Sequence, residues 1–84
     1  KISYTPTFAK HFKKLPRMIQ QKALIKEKLF KNDPLVSTLK THQLTGKLRG
    51  YFSFSINYQY RIMFVFETKS EVTFVDVGTH GIYK

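Results

Sequence analysis

The spacing of apolar residues changes part-way along the chain, and that change limits what the chain can fold into. Up to about residue 31 the apolar side chains recur at helical intervals, and from about residue 51 they alternate with period two. Helices followed by strands predict an α+β domain whose mainly antiparallel sheet is covered on one face. With 84 residues there is room for one core, because either half alone would be too small to bury a self-sufficient interior; residues 1–84 are therefore read as a single domain. The apolar and aromatic contents, 42% and 15%, suffice to build that core and argue against intrinsic disorder.

Ile2 to Tyr4 reads as a short N-terminal strand. Thr5-Pro6 then supplies an N-cap and a first-turn proline. Phe8, Phe12 and Leu15 fall within about 60° on a helical wheel, with Lys10, Lys13 and Lys14 opposite, which predicts an amphipathic helix running up to Pro16. A second helix is expected from Pro16 to about Lys31. Met18, Ile25 and Leu29 join Ile19, Ala23 and Phe30 in a broad apolar face within which Lys22 and Lys26 must snorkel, while Leu24 points away. Asn32-Asp33-Pro34 ends it, and Leu35 to Gly46 reads as a connection with room for one short turn. Phe52, Phe54 and Ile56 alternate with Tyr51, Ser53 and Ser55 as a half-buried strand. After an Asn57-Tyr58-Gln59 turn, Tyr60, Ile62, Phe64 and Phe66 alternate with Arg61, Met63 and Val65. Thr68-Lys69-Ser70 turns again into a strand from Val72 to Val77, and the glycine-flanked tail from Gly78 to Tyr83 is a candidate extension of the sheet. The expected architecture is a short N-terminal strand and two helices packed on one face of a mainly antiparallel four-stranded sheet.

The charge is unevenly placed. Fifteen Lys and Arg stand against five acids, a formal net charge of +10, and residues 1–49 hold 12 of the cations with only Glu27 and Asp33 against them. Positions 10–31 carry eight Lys or Arg and the single Glu27, which leaves few compensating pairs along the helices. Such self-repulsion is tolerated most simply for a polyanionic partner, nucleic acid first and an acidic protein second. The absence of Cys excludes disulfides, thiolate zinc sites and a thiol nucleophile, and fits a reducing cytoplasm. No run approaches the ~18 apolar residues of a membrane span, and no signal-type apolar segment follows Lys1, so a soluble, unprocessed cytoplasmic protein without membrane association is expected.

Motifs for nucleotide phosphates, serine hydrolysis and zinc peptidase chemistry are absent, and no acidic cluster accompanies the widely spaced His residues as a metal site would need. Arg61 is the anomaly: a permanent charge within an apolar strand run. It is a solvent-facing or salt-bridged residue opposite Glu67, Glu71 or Asp76, a phosphate ligand on the open sheet face, or a dock for an acidic segment. His80 and His42 lie in irregular segments where a surface role competes with proton transfer, and His11 reads as a solvated helix residue. Tyr51 is the better base-stacking candidate among the aromatics, because it falls on the face away from the Phe residues.

The run Leu44-Thr45-Gly46-Lys47-Leu48-Arg49-Gly50-Tyr51-Phe52-Ser53-Phe54-Ser55-Ile56, with Tyr60-Arg61-Ile62-Met63-Phe64, the tail Gly78-Thr79-His80 and the helix start Phe8-Ala9-Lys10-His11-Phe12-Lys13-Lys14-Leu15-Pro16, resembles the RelE/StbE branch of the RelE/ParE toxin superfamily. The resemblance covers nearly the whole chain and implies a RelE-like fold. It also implies a type II toxin that enters the ribosome, cuts mRNA by 2′-OH attack with no metal or cofactor, and is held by a cognate antitoxin protein. Carried onto this sequence it makes Arg61 the phosphate-stabilising arginine. His80 becomes a general acid or base and His42 its partner, which of them is the acid being left open, resembling YoeB-like and YafQ-like members, and Tyr83 the terminal aromatic that orients the substrate. Lys47 and Arg49 would hold RNA backbone beside Tyr51. The tail is one residue shorter than the usual family ending, and Ser53 and Ser55 stand where some relatives carry Lys or His. A non-catalytic, ParE-like gyrase poison, or an inactive toxin that retains antitoxin binding, is the alternative.

Overall fold

The computed structural model describes residues 1–83; Lys84, counted above in the charge and the domain, lies outside the described residues. Strand β1 (Ile2–Tyr4) is followed by helices α1 (Pro6–Lys13) and α2 (Arg17–Asn32), a short strand β2 (His42–Gln43), and strands β3 (Phe52–Ser55), β4 (Arg61–Phe66) and β5 (Val72–Gly78). They form one sheet in the order β1-β5-β4-β3-β2. The β2-β3-β4-β5 ladder is antiparallel, and β1 pairs parallel to β5 through Ile2–Val72 and Tyr4–Phe74.

Thr5 caps α1 as the sequence implied: its Oγ1 accepts from the Phe8 N–H at 3.0 Å and donates to the Val75 carbonyl at 2.7 Å, which ties the helix start to β5. The helix stops at Lys13, short of Pro16. At this end the Gln20 Nε2 donates to the Phe12 carbonyl at 2.9 Å, which also accepts from the Leu15 N–H, and to the Lys13 carbonyl at 3.3 Å.

The α+β arrangement stands, with three corrections. The sheet has five strands rather than four. The fifth, β2, is two residues long and sits in the connection read as holding one short turn; two residues have no hydrophobic period, and only backbone pairing to β3 defines them. That connection also holds a one-turn 3-10 helix, Ser37–Leu39, and a second, Gly46–Leu48, begins at its last residue. Gly46 and Gly50 have φ of +67° and +95°, which explains the glycine spacing around Lys47 and Arg49, since side chains rarely adopt that region. Second, the tail does not extend the sheet: β5 ends at Gly78 and His80–Tyr83 coils into a 3-10 turn. Third, Met18 and Ile25 are 80% and 61% exposed and Leu29 is exposed too. The side of α2 carrying Ile19, Ala23 and Phe30 packs into the core, about 120° around the wheel from the Met18-Ile25-Leu29 stripe.

The core lies between the helices and one face of the sheet. Phe30 stacks on Phe54 with centroids 4.9 Å apart and meets Phe64 and Phe74 edge-on at 4.9 and 5.4 Å, geometries worth about 0.5–1.5 kcal/mol each beyond area burial. Ile56, Ile62 and Val77 complete that face. By alternation Ser53, Ser55, Arg61 and Met63 therefore point to the other side.

Candidate active site

Across β3 and β4 the pairings Ser53–Met63 and Ser55–Arg61 set a row of residues on the face away from the helices. Arg61 is half-buried there, and its Nη1 donates to the Ser55 Oγ. Among the described residues it pairs with no carboxylate; the ion pair present is His11 with Asp76. Its charge is thus anchored by a neutral hydroxyl and keeps its remaining donors for an anion, which a planar guanidinium can grip through two hydrogen bonds.

The tail brings His80 to the same place. Its turn follows Gly78, where an added Cβ would lie 2.9 Å from the Ile82 Cγ2, so glycine permits the chain to fold back closely. Arg61 and His80 line one cleft of about 330 Å³ together with Tyr58, Gln59 and Thr79. The His80 and Tyr83 rings lie 5.4 Å apart, and the Tyr83 hydroxyl is 2.6 Å from the Ser53 Oγ. Ser53 is wholly buried because this turn covers it.

His42 lies on the neighbouring strand and is not among the residues lining that cleft. It pairs with Ser53 across β2 and β3, so both side chains share the Arg61 face. At standard strand spacings the Cα atoms of His42 and Arg61 are separated by roughly 12 Å. The His42 Nδ1 lies 3.0 Å from the Lys40 carbonyl. A carbonyl only accepts, so Nδ1 carries the proton and Nε2 is the nitrogen left for chemistry.

Lys47, Arg49 and Tyr51 are not gathered into that cleft. Lys47 and Arg49 are exposed around the 3-10 turn before β3 and Tyr51 is half-buried beside them, four residues, roughly 13 Å, along from Ser55. His11, read as solvated, is instead bound through Nδ1 to the Asp76 Oδ1 at 2.6 Å and ties α1 to β5.

Sequence reasoning missed four contributors. Tyr58, 94% exposed at the tip of the hairpin turn, shares the Arg61–His80 cleft. Lys22, Lys26 and Lys40 line an adjoining cleft with Ser55, Tyr58 and Arg61. The signal available for Tyr58 was an aromatic at a turn apex, where burial is impossible; the lysines carried none, because nothing local says that α2 and residue 40 meet. A further cleft, about 460 Å³ and bordered by Lys31, Phe66 and Lys69, offers neither a His nor a carboxylate. Among the described residues no three His, Asp or Glu side chains group as a metal site requires, and no helix is long and apolar enough to cross a membrane.

Solved structures share this fold. YafQ from E. coli strain BL21(DE3) superposes with a TM-score of 0.77 at 22% identity over 99% of this chain and 96% of that one. A YoeB/ParE toxin from Agrobacterium tumefaciens gives 0.80 at 17% identity over 95% and 98%. The toxin in the E. coli DinJ-YafQ complex gives 0.69 at 23% identity over 98% and 94%. No curated protein sequence matches the chain. Over residues 1–82 the chain matches the family model of YafQ, described as the bacterial toxin of type II toxin-antitoxin systems, and it belongs to that family.

Proposed function

We propose that this toxin is a ribosome-dependent endoribonuclease that cuts mRNA without metal or cofactor, and that the open sheet face around Arg61 is its active site. Cleavage by an internal nucleophile needs three services: a base for the 2′-OH, a cation for the charge that builds on phosphorus, and an acid for the departing 5′-oxygen. The His42 Nε2 takes the 2′-OH proton, since its Nδ1–H is committed to the Lys40 carbonyl. The freed 2′-oxygen attacks the adjacent phosphorus while the Arg61 guanidinium binds the non-bridging oxygens. Protonated His80 delivers its proton to the 5′-oxygen as that bond breaks, leaving a cyclic phosphate and a new 5′-OH; water later opens the ring to a 3′ phosphate. Tyr83, held by Ser53, orients the nucleotide, and Lys47, Arg49 and Tyr51 hold the strand further along β3.

The observation that carries this reading is the meeting of Arg61 and His80 in one cleft, from positions 19 residues apart. The partners that follow are the ribosome and its mRNA in the cytoplasm, and a cognate antitoxin that covers the basic surface when the toxin is silent. Solved relatives include YafQ bound to DinJ and YoeB bound to YefM.

The test is translation of a defined mRNA with the purified protein. A cut in the ribosomal A site ending in cyclic or 3′ phosphate is expected, and a single 2′-deoxy nucleotide 5′ of the scissile bond should abolish it. Inhibited gyrase supercoiling with intact mRNA would replace this reading with the non-catalytic one.

A further inference from the structure

The Arg61–His80 cleft has a neighbour that the proposed reaction does not use. This second cleft, about 310 Å³, shares Tyr58 and Arg61 with the first and is lined by Lys22, Lys26 and Lys40. Lys22 and Lys26 stand one helical turn apart on α2, where like charges repel, and Lys40 adds a third cation from the connection. Among the described residues no carboxylate lines the cleft or pairs with these lysines. Lys40 holds φ of +53° as the left-handed residue that closes the Ser37–Leu39 turn, its N–H donating to the Ser37 carbonyl at 3.1 Å, which fixes where its side chain leaves the connection.

We infer that the RNA strand flanking the scissile bond leaves the Arg61–His80 cleft past Tyr58 and enters this second cleft, where Lys22, Lys26 and Lys40 bind its phosphates. The inference rests on the endoribonuclease reading for the strand's identity. Tyr58 suits the crossing point: it is almost fully exposed, yet its turn is ordered by Asn57, whose Oδ1 accepts from the Gln59 and Tyr60 N–H groups at 2.9 and 2.8 Å. An exposed ring on an ordered turn is a platform on which a base can stack. The walls favour RNA over an acidic peptide. Apart from Tyr58 they are Lys, Arg, Thr, Ser and Asn, and the one aliphatic contributor, Ile56, is itself wholly buried, so no aliphatic pocket awaits the apolar side chains that anchor a peptide.

The test uses fluorescent 2′-O-methyl oligonucleotides, which cannot be cut, titrated against the full-length protein at several salt concentrations. The wild type should bind a hexanucleotide at least tenfold more tightly than a dinucleotide. The triple variant Lys22→Gln, Lys26→Gln, Lys40→Gln should reduce that gain to under threefold. It should also lower the slope of log affinity against log salt by about 2, from three lost phosphate contacts at about 0.7 each. The variant Lys10→Gln, Lys13→Gln, Lys14→Gln carries the same charge change away from both clefts and should keep the gain. The proposal is overturned if the wild type shows no length-dependent gain, if the first variant retains it, if the two variants lose it equally, or if the first variant loses only binding of an acidic antitoxin peptide. Loss of the gain in the triple variant, together with a wild type that leaves ribosome-bound mRNA intact, would uphold the track and refute the endoribonuclease reading, so the two fail separately.

Discussion

The two faces of the sheet are built from the same strands and do opposite work. Phe54, Ile62, Phe64, Phe74 and Val77 point toward the helices and are 2% exposed or less, whereas the residues between them present Ser53, Ser55 and Arg61 to the other side. Period-two alternation therefore lets one hairpin serve as core and as candidate active site at once, because neighbouring positions do not share an environment. A charge that would be ruinous one residue further along β4 is tolerated at Arg61, where a hydroxyl and solvent meet it. The core face carries stability and the opposite face carries the proposed chemistry, so substitutions on the two should separate cleanly.

The largest effect is expected on the core face. Phe54→Ala should cost about 3–5 kcal/mol in urea unfolding, a large part of the ~5–15 kcal/mol that holds a small domain together, and activity should fall only as the folded fraction does. On the other face His42→Ala and His80→Ala should each lower the cleavage rate by about 10² or more at nearly unchanged stability, as expected for lost proton transfer. A loss of rate that followed the loss of folded protein in these variants would erase the distinction between the faces. The third histidine sharpens the contrast: His11→Ala removes the contact to Asp76 and should cost about 1 kcal/mol or less, because the pair is partly exposed, with cleavage unchanged.

The smallest effect concerns Tyr4, at the edge of the core beside β5. Burial first, and then the hydrogen bond and negative charge of Glu27, push its hydroxyl up to about 12 from the ordinary 10.0. The folded state thus holds that proton more tightly than the unfolded one. Its contribution is complete below about pH 10 and is lost as pH rises toward 12. Tyr4 is nearly half exposed, so the slope should be shallow, a few tenths of a kcal/mol, and Tyr4→Phe should flatten it in unfolding curves taken across that interval.

What the sequence made legible follows from how local each signal was. Thr5 and Pro6 announced α1, and strict alternation announced β3 and β4 with their inward and outward residues, because these are decided within a few positions. The Asn57-Tyr58-Gln59 turn was legible for the same reason. The strand β2 was not, since two residues carry no pattern and only its partner across the ladder defines it. Nor was the pairing of His11 with Asp76, 65 positions apart, or the basic cleft, which exists only once α2 packs beside the β3-β4 turn. The exposed Met18-Ile25-Leu29 stripe is the converse case: helical spacing reports which residues share a side, but not which side meets the sheet. Arg61, His42, His80 and Tyr51 stood out from the residues themselves, the parts given to Lys47, Arg49 and Tyr83 came from the resemblance, and the cleft that Arg61 and His80 share came from the fold.

The most direct test of the account is a paired measurement on Arg61→Ala: the single-turnover rate of cleavage of ribosome-bound mRNA and, on the same preparation, the free energy of unfolding in urea. The account expects the rate to drop by 10² or more, the range for losing a preorganised charge, with stability changed by less than about 1 kcal/mol for a half-exposed side chain. A folded Arg61→Ala protein that cuts as fast as the wild type would contradict it.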